Sequence, residues 1–335
     1  MHNQSVHIHF VRVTLANARA QHLDTDALLA RCGIFPQLLQ LEDARVNARQ
    51  FADLQTAVMR AMEDEFLGYG ARAVRLGSWS VLCHWLIHSR FLGQTIKRFC
   101  HFHALMERGF DARLRMTKNT AAVEVAPWAT SNKPSVYGYE LFLFTFHRLL
   151  CWMTREKVPI KRMNLPYPMP GHHREYQYMF RGCPVYFDQD SCSISFQRSL
   201  LALPVRQNPA SLAEFLRQPM YEIIVQDYDR SSWTARVREL IAHDPAGAGS
   251  LSEIARRLGT NDYSLRRRLA KEGYAFIDLK REVKRDLAIH LLARHRHSVE
   301  EIAFKTGFSE ASAFIRAFKQ WTGVTPRTYR KESRR

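Results

Sequence analysis

The sequence predicts two dissimilar parts: an α+β N-terminal region, then an all-α C-terminal domain with two helix-turn-helix units joined by a long helix. Three observations carry this. One short pattern is written twice in the last third of the chain. A helical run of apolar residues lies between the two copies. The first 205 residues mix helix-period runs with alternating, strand-like ones.

The repeated pattern reads Leu251-Ser-Glu-Ile-Ala-Arg-Arg-Leu-Gly259 and, 48 positions on, Val299-Glu-Glu-Ile-Ala-Phe-Lys-Thr-Gly307. Ser250 with Glu253 and Ser298 with Glu301 have the spacing of a capping box, in which Ser caps the third helical amide and Glu reaches back to the Ser amide. A second helical run follows each Gly, Asp262 to Lys271 and Glu310 to Trp321. Helix, Gly-containing turn and helix is the arrangement whose second helix enters a DNA major groove. Ile254, Ala255, Leu258, Leu265 and Leu269 supply the apolar faces of the first unit. Ile302, Phe308, Phe314 and Phe318 do so in the second. Tyr263, Ser264, Arg266 and Arg267, and then Ser312, Ile315, Arg316 and Lys319, take the opposite faces. Phe276 to Ala293 is long enough for a single bridging helix.

Glu301-Ile-Ala-Phe-Lys-Thr-Gly-Phe308, Ser309-Glu-Ala-Ser-Ala-Phe314, Arg316-Ala-Phe-Lys319 and Gly323-Val-Thr-Pro-Arg-Thr-Tyr-Arg330 together resemble the signature of the AraC/XylS family of bacterial transcription regulators. The resemblance runs from near Trp233 to Arg330. It implies a sequence-specific DNA-binding regulator, not an enzyme, that reads two successive major-groove segments per subunit. It also places Tyr263, Ser264, Arg266 and Arg267 of the first unit, and Ala311, Ser312, Ile315, Arg316 and Lys319 of the second, on the DNA-facing side. An Arg there can pair bidentately with guanine, for about 1–3 kcal/mol of discrimination. Ala311 and Ile315 offer only apolar contact. Asp262 departs from the small or proline residue common at its position; it suits a helix N-terminus but would repel a phosphate.

Upstream, Met1 to Phe10 reads as a strand-like lead and Val11 to Arg31 as a helix, punctuated by Gly33-Ile-Phe-Pro36. Val46 to Phe66 has Phe51, Leu54, Val58, Met62 and Phe66 at three- and four-residue steps, the period of an amphipathic helix. Trp79 to Met106 is apolar on most sides and reads as buried helix. Ala112 to Met116 and Ala121 to Val125 flank Lys118-Asn119 as a hairpin. Tyr139 to Thr154 is a further apolar helix. Pro184 to Phe187 and Ser193 to Phe196 suggest a second hairpin, and Pro209 to Val225 a helical bridge before a polar linker near Gln226–Ser232. Gly171-His-His-Arg-Glu-Tyr-Gln-Tyr-Met-Phe-Arg-Gly-Cys-Pro-Val-Tyr-Phe187, followed by Leu200-Leu-Ala-Leu-Pro-Val205, resembles the arabinose-binding-like effector domain of one branch of the same family rather than its cupin barrel. That resemblance implies a sensory, dimerising domain over 1–205. It leaves a bridge and linker over 206–232 and a double helix-turn-helix domain over 233–335.

Charge follows the same division. The chain carries +17, and residues 233–335 hold 22 Lys and Arg against 12 Asp and Glu, a net +10 in less than a third of the length. That bias suits a surface that neutralises phosphates. The six Cys show no CxxC pairing and read as reduced thiols. No leader and no membrane-length apolar run is evident, so a cytoplasmic, nucleoid-associated location is expected. His84 and His88 share a helical face near Cys100, His101 and His103, yet no carboxylate or second Cys completes a metal set, so no metal is expected. His172-His173 reads as a helix start. No phosphate loop, nucleophile elbow or paired carboxylates stand out, and no cofactor is expected. Trp79, Trp85, Phe99 and Phe102 are candidates to line an apolar effector pocket. The expected partners are double-stranded promoter DNA, a small-molecule effector, a second copy of the chain and, for an activator, RNA polymerase.

Overall fold

A computed structural model describes residues 5–128, 135–180, 182–225, 232–247, 250–293 and 296–332. The chain divides into two compact units, Met1–Arg12 with Asp24–Leu54 and Asp229–Arg335, and Val13–Leu23 with Gln55–Tyr228. Most of the expected linker, residues 226–231, lies outside the described residues.

At the start of the chain β1 (Ser5–His7) pairs antiparallel with β2 (Arg45–Asn47), Val6 opposite Val46. Two helices, α1 (Ile8–Ala20) and α2 (Thr25–Arg31), replace the single helix expected over 11–31. His22 takes a φ of +59°, and the Asp24 carboxylate accepts the Ala27 N–H at 2.9 Å, so a new helix is capped without Gly or Pro to announce it. The helix expected over 46–66 is shorter, because its first residues belong to β2 and α3 spans Ala48–Met62.

In the unit containing Gln55–Tyr228, the helix expected over 79–106 is also two, α4 (Ser78–Leu86) and α5 (Leu92–Met106). The break at Phe91 is tertiary in origin: Phe91 is extended and bridges Pro204, while the Leu92 N–H donates to Leu203 O at 2.9 Å. Burial is also less complete than expected, since Trp85 is 36% and Phe91 47% exposed. β3 (Phe110–Met116) and β4 (Thr120–Pro127) form the expected hairpin. The second expected hairpin is absent. β5 (Arg162–Asn164) stands between β6 (Val185–Tyr186) and β7 (Cys192–Gln197), giving the order β3-β4-β7-β5-β6, with β5 and β6 parallel. Ala121, Val123, Val125, Cys192, Ile194 and Phe196 alternate to the buried face, as strand geometry requires. Against them lies α6 (Val136–Thr154), with the Phe146 and Phe196 ring centroids 6.4 Å apart and Phe99 of α5 4.7 Å from Phe146. A short α7 (Tyr176–Met179) follows β5, and Pro219 splits the expected bridge into α8 (Pro209–Arg217) and α9 (Pro219–Val225).

The described C-terminal elements are all helical: α10 (Trp233–His243), α11 (Leu251–Arg257), α12 (Asp262–Lys271), α13 (Phe276–Ala293), α14 (Val299–Lys305), α15 (Ala311–Thr322) and α16 (Pro326–Glu332). The N-terminal ribbon of the same unit meets α13, where Ser5 Oγ donates to Asp286 Oδ1 at 2.6 Å and Arg285 Nε to the same oxygen at 3.1 Å. Asp286 is buried there, so these donors supply the partners its carboxylate needs away from water. Among the described residues no helix is long and apolar enough to cross a membrane.

Candidate nucleic-acid interface

Each repeat folds into a helix pair around its own apolar centre. In the first, Ile254 and Ala255 of α11 and Leu265 and Leu269 of α12 are buried with Val237 and Ile241 of α10 and Leu279 and Val283 of α13. In the second, Ile302 and Ala303 of α14 meet Phe314 and Phe318 of α15. Phe308 lies 5.6 Å from Phe314, and Tyr329 of α16 lies 5.6 Å from Phe318. Ala255 and Ala303 are buried in their respective first helices.

The start signals act unequally. Ser298 and Glu301 complete the reciprocal capping box, the Glu301 N–H reaching Ser298 Oγ at 3.0 Å and the Ser298 N–H reaching Glu301 Oε2 at 2.6 Å. Ser250 accepts from the Glu253 N–H at 3.1 Å, but the Glu253 carboxylate is taken by Arg256 and Arg257 at 2.8 Å each. Their hydrogen bonds hold that carboxyl down to about 2. Only the first half of the expected box therefore forms in α11.

Glycine is required at the second turn. Gly307 has a φ of +74°, and a Cβ there would meet Pro245 O at 2.4 Å. Lys284 of α13 closes the same turn, donating from Nζ to Gly307 O at 2.9 Å; burial, then Lys280, lowers its ammonium to about 8. At the first turn Gly259 also has positive φ, but a Cβ would meet nothing within 4 Å.

The two units are repeats with one residue of slack. Their first helices are seven residues each and start 48 positions apart, at Leu251 and Val299. Their second helices are set one further, because buried Leu265 and Leu269 correspond to buried Phe314 and Phe318 at a separation of 49. The extra residue lies in the turn, which runs through Thr306, Gly307, Phe308, Ser309 and Glu310 in the second unit. On this alignment Tyr263 corresponds to Ser312, Arg266 to Ile315 and Arg267 to Arg316.

The expected DNA-facing residues lie away from the apolar centres. Tyr263 is 73% exposed, and Arg266, Arg267, Ser312, Ile315, Arg316 and Lys319 are exposed, while Ser264 and Ala311 are half-buried near the helix starts. Among the described residues Arg266, Arg267, Arg316 and Lys319 form no ion pair. Other basic residues of the unit are committed to structure: Arg257 to Asp244 and Glu253, Arg238 to buried Glu282, and Arg268 over the Trp233 ring at 3.9 Å. Two details modify the expected surface. Asp262 is engaged, accepting from Ser252 Oγ at 2.5 Å, and the Ser312 hydroxyl donates to Glu310 at 3.1 Å. The Trp233 contact, and the Glu272 carboxylate that accepts the Trp233 and Thr234 N–H groups, were not foreseen; their partners are 35 to 39 residues away and leave no local signal.

The effector candidates are dispersed. Phe99 is core, 5.6 Å from Phe142 and 4.4 Å from His103, and Phe102 borders the same His103. Trp85 faces outward against His101, and Trp79 Nε1 is buried without a hydrogen-bond partner. Two of the histidines near Cys100 are separately engaged: His84 Nδ1 meets Ser80 O at 2.8 Å, and His103 sits between Phe99 and Phe142.

A fold with two helix-turn-helix pairs on one connecting helix, each presenting uncommitted basic residues, defines a DNA-binding protein. The family model of the arabinose-binding domain of AraC transcription regulator, N-terminal, matches residues 23–205, more than half the chain, and a helix-turn-helix domain model matches 254–332. The chain belongs to the AraC family of transcription regulators and is a DNA-binding regulator, not an enzyme, with an effector-responsive N-terminal domain. It is 26% identical over 308 residues to an ornithine utilization regulator of Pseudomonas aeruginosa, covering 91% of this chain and 90% of that protein. It is 25% identical over 313 residues to the regulator VirS of Mycobacterium tuberculosis, covering 90% and 89%. Among solved structures the regulator CdpR of Pseudomonas aeruginosa aligns over 96% of this chain and 97% of its own, at 20% identity and a TM-score of 0.35.

Proposed function

We propose that each subunit reads a bipartite DNA site, with α12 in one major-groove segment and α15 in the next on the same face of the duplex. The observation that carries this is the equivalent placement of Arg267 and Arg316, exposed and without ion pairs among the described residues, on two helices joined by α13. An 18-residue helix such as α13 is roughly 27 Å long. That length is on the scale of one turn of B-DNA, about 34 Å, which is the spacing of successive major-groove segments. Arg266, Arg267 and Arg316 supply guanine or phosphate contacts, Tyr263, Ser264 and Ser312 polar contacts, Ala311 and Ile315 apolar contact to thymine methyls, and Lys319 a phosphate contact. The first unit carries more of the sequence reading, because Arg266 is matched by Ile315 in the second.

Residues 233–335 form the DNA-reading domain in this reading, 206–232 the bridge, and 1–205 the effector-binding and dimerising domain. A homodimer doubles the site, and an activator of this kind would meet RNA polymerase at the promoter. Of the aromatic candidates, Trp79, Trp85 and Phe102 suit effector contact better than Phe99, which is core. Selection of bound duplexes from a random-sequence library by the full-length protein tests the DNA reading. A motif of two blocks about 10 base pairs apart is expected; a single short block would refute it.

A further inference from the structure

Helix α6 is apolar along most of its length and carries one acidic residue, Glu140. Its side chain is 1% exposed. One carboxylate oxygen, Oε1, meets His172 Nε2 at 2.5 Å and accepts from the Tyr176 hydroxyl at 2.5 Å. The other, Oε2, is buried and has no hydrogen-bond partner. No Lys or Arg pairs with this carboxylate among the described residues.

No protonation state satisfies Oε2. Ionised, it carries charge at an oxygen buried from solvent with no protein donor among the described residues, which is costly. Protonated at Oε2, the new O–H lacks an acceptor. Protonated at Oε1, Oε2 becomes a bare carbonyl. What the site lacks is a hydrogen-bond donor, and a positively charged donor would also answer the charge. The surroundings are aromatic. Tyr176 stacks on Phe187 with centroids 5.7 Å apart, Phe180 lies 5.8 Å from Tyr176, and the Tyr167 hydroxyl is 3.1 Å from that of Tyr176. Aromatic faces attract cations through their quadrupole, and burial pushes the Tyr167 and Tyr176 phenols up, which keeps them neutral.

We propose that the effector of this regulator carries an ammonium group, and that Glu140 Oε2 receives it among Tyr167, Tyr176, Phe180 and Phe187. His172 and Tyr176 are positioning residues that hold the carboxylate through Oε1. The inference rests on the reading that this part of the chain senses a small molecule, and it supplies the chemical class of that molecule.

The test uses full-length protein, thermal unfolding and titration calorimetry, with n-butylammonium and 1,4-diaminobutane as probes and n-butanol, butyrate and zinc as comparisons. The ammonium probes should raise the unfolding midpoint of the wild-type protein by several degrees at saturation, and butanol and butyrate should not. In Glu140→Gln the ammonium effect should disappear, and in Tyr176→Phe it should weaken at least threefold in affinity. The ranking of probes on the wild-type protein stands as a test even if Glu140→Gln does not fold. No response to either ammonium probe, an equal response in Glu140→Gln, a preference for butyrate, or stabilisation by zinc alone would overturn the assignment. A gel shift on the same preparations separates this from the reading it rests on: retained DNA binding with no ammonium response defeats the amine site alone, whereas loss of specific DNA binding in the wild-type protein defeats the regulator mechanism.

Discussion

Arg267 and Arg316 hold the same place on their two helices. Each follows its helix's first buried residue, Leu265 or Phe314, by two positions, and each is exposed with no ion pair among the described residues. Nearby guanidiniums are spent on structure, those of Arg256 and Arg257 on Glu253 and that of Arg268 on Trp233. The contrast separates arginines that build the domain from arginines available to a ligand.

Arg267→Ala and Arg316→Ala should each weaken specific DNA binding about 10- to 100-fold, the equivalent of roughly 1–3 kcal/mol for a lost bidentate contact. Circular dichroism should be unchanged, since neither side chain is buried. Arg→Lys at either position should lose most of the specific affinity while keeping non-specific binding, because an ammonium cannot reproduce the fork. Gel-shift titration against specific and scrambled duplexes checks both statements.

Lys319→Ala should behave differently. A phosphate contact carries no sequence information, so binding should fall by a similar factor on every duplex, and the slope of log affinity against log salt should become shallower by about 1. Affinity measured at several salt concentrations gives that slope directly.

The two turn glycines should respond unequally to alanine. Gly259→Ala meets open space and adds only left-handed strain, on the order of 1–2 kcal/mol. Gly307→Ala adds the same strain and a clash with Pro245 O, so its loss of stability should be clearly larger and should reduce DNA affinity by displacing α15. Urea unfolding of the two variants, side by side, shows the order.

Lys284 gives a pH signature. Burial lowers its folded value to about 8, against about 10.4 in an unfolded chain. Between those values the unfolded chain binds more protons, so the contribution of this group to stability rises as pH increases from 8 to 10. The stability of the wild-type protein relative to Lys284→Met should therefore climb over that range in urea unfolding; a constant or falling difference would contradict the assignment.

Much of the C-terminal half was legible because its signals are local. The bridging helix runs from Phe276 to Ala293 as the apolar pattern indicates, and Leu265, Leu269, Phe314 and Phe318 are buried where three- and four-residue spacing places them. What was missed was set by distant contacts. The break at Phe91 depends on Pro204 and Leu203, and β5 enters the sheet between strands that look like a hairpin. The one-residue offset between the units was hidden because the first helices align at 48 positions, while the anchors of the second helices align at 49. Glu140 is the single acid of α6, but its bonding to His172 and Tyr176 spans more than 30 residues and leaves no local signal.

The most direct measurement is methylation-interference mapping of the full-length protein on a selected duplex, repeated with Arg267→Ala and Arg316→Ala. Two clusters of major-groove guanines are expected per subunit, about one helical turn apart on one face. The first variant should erase one cluster and the second variant the other. A single cluster, or the loss of the same cluster in both variants, would contradict a subunit that reads DNA with two helices.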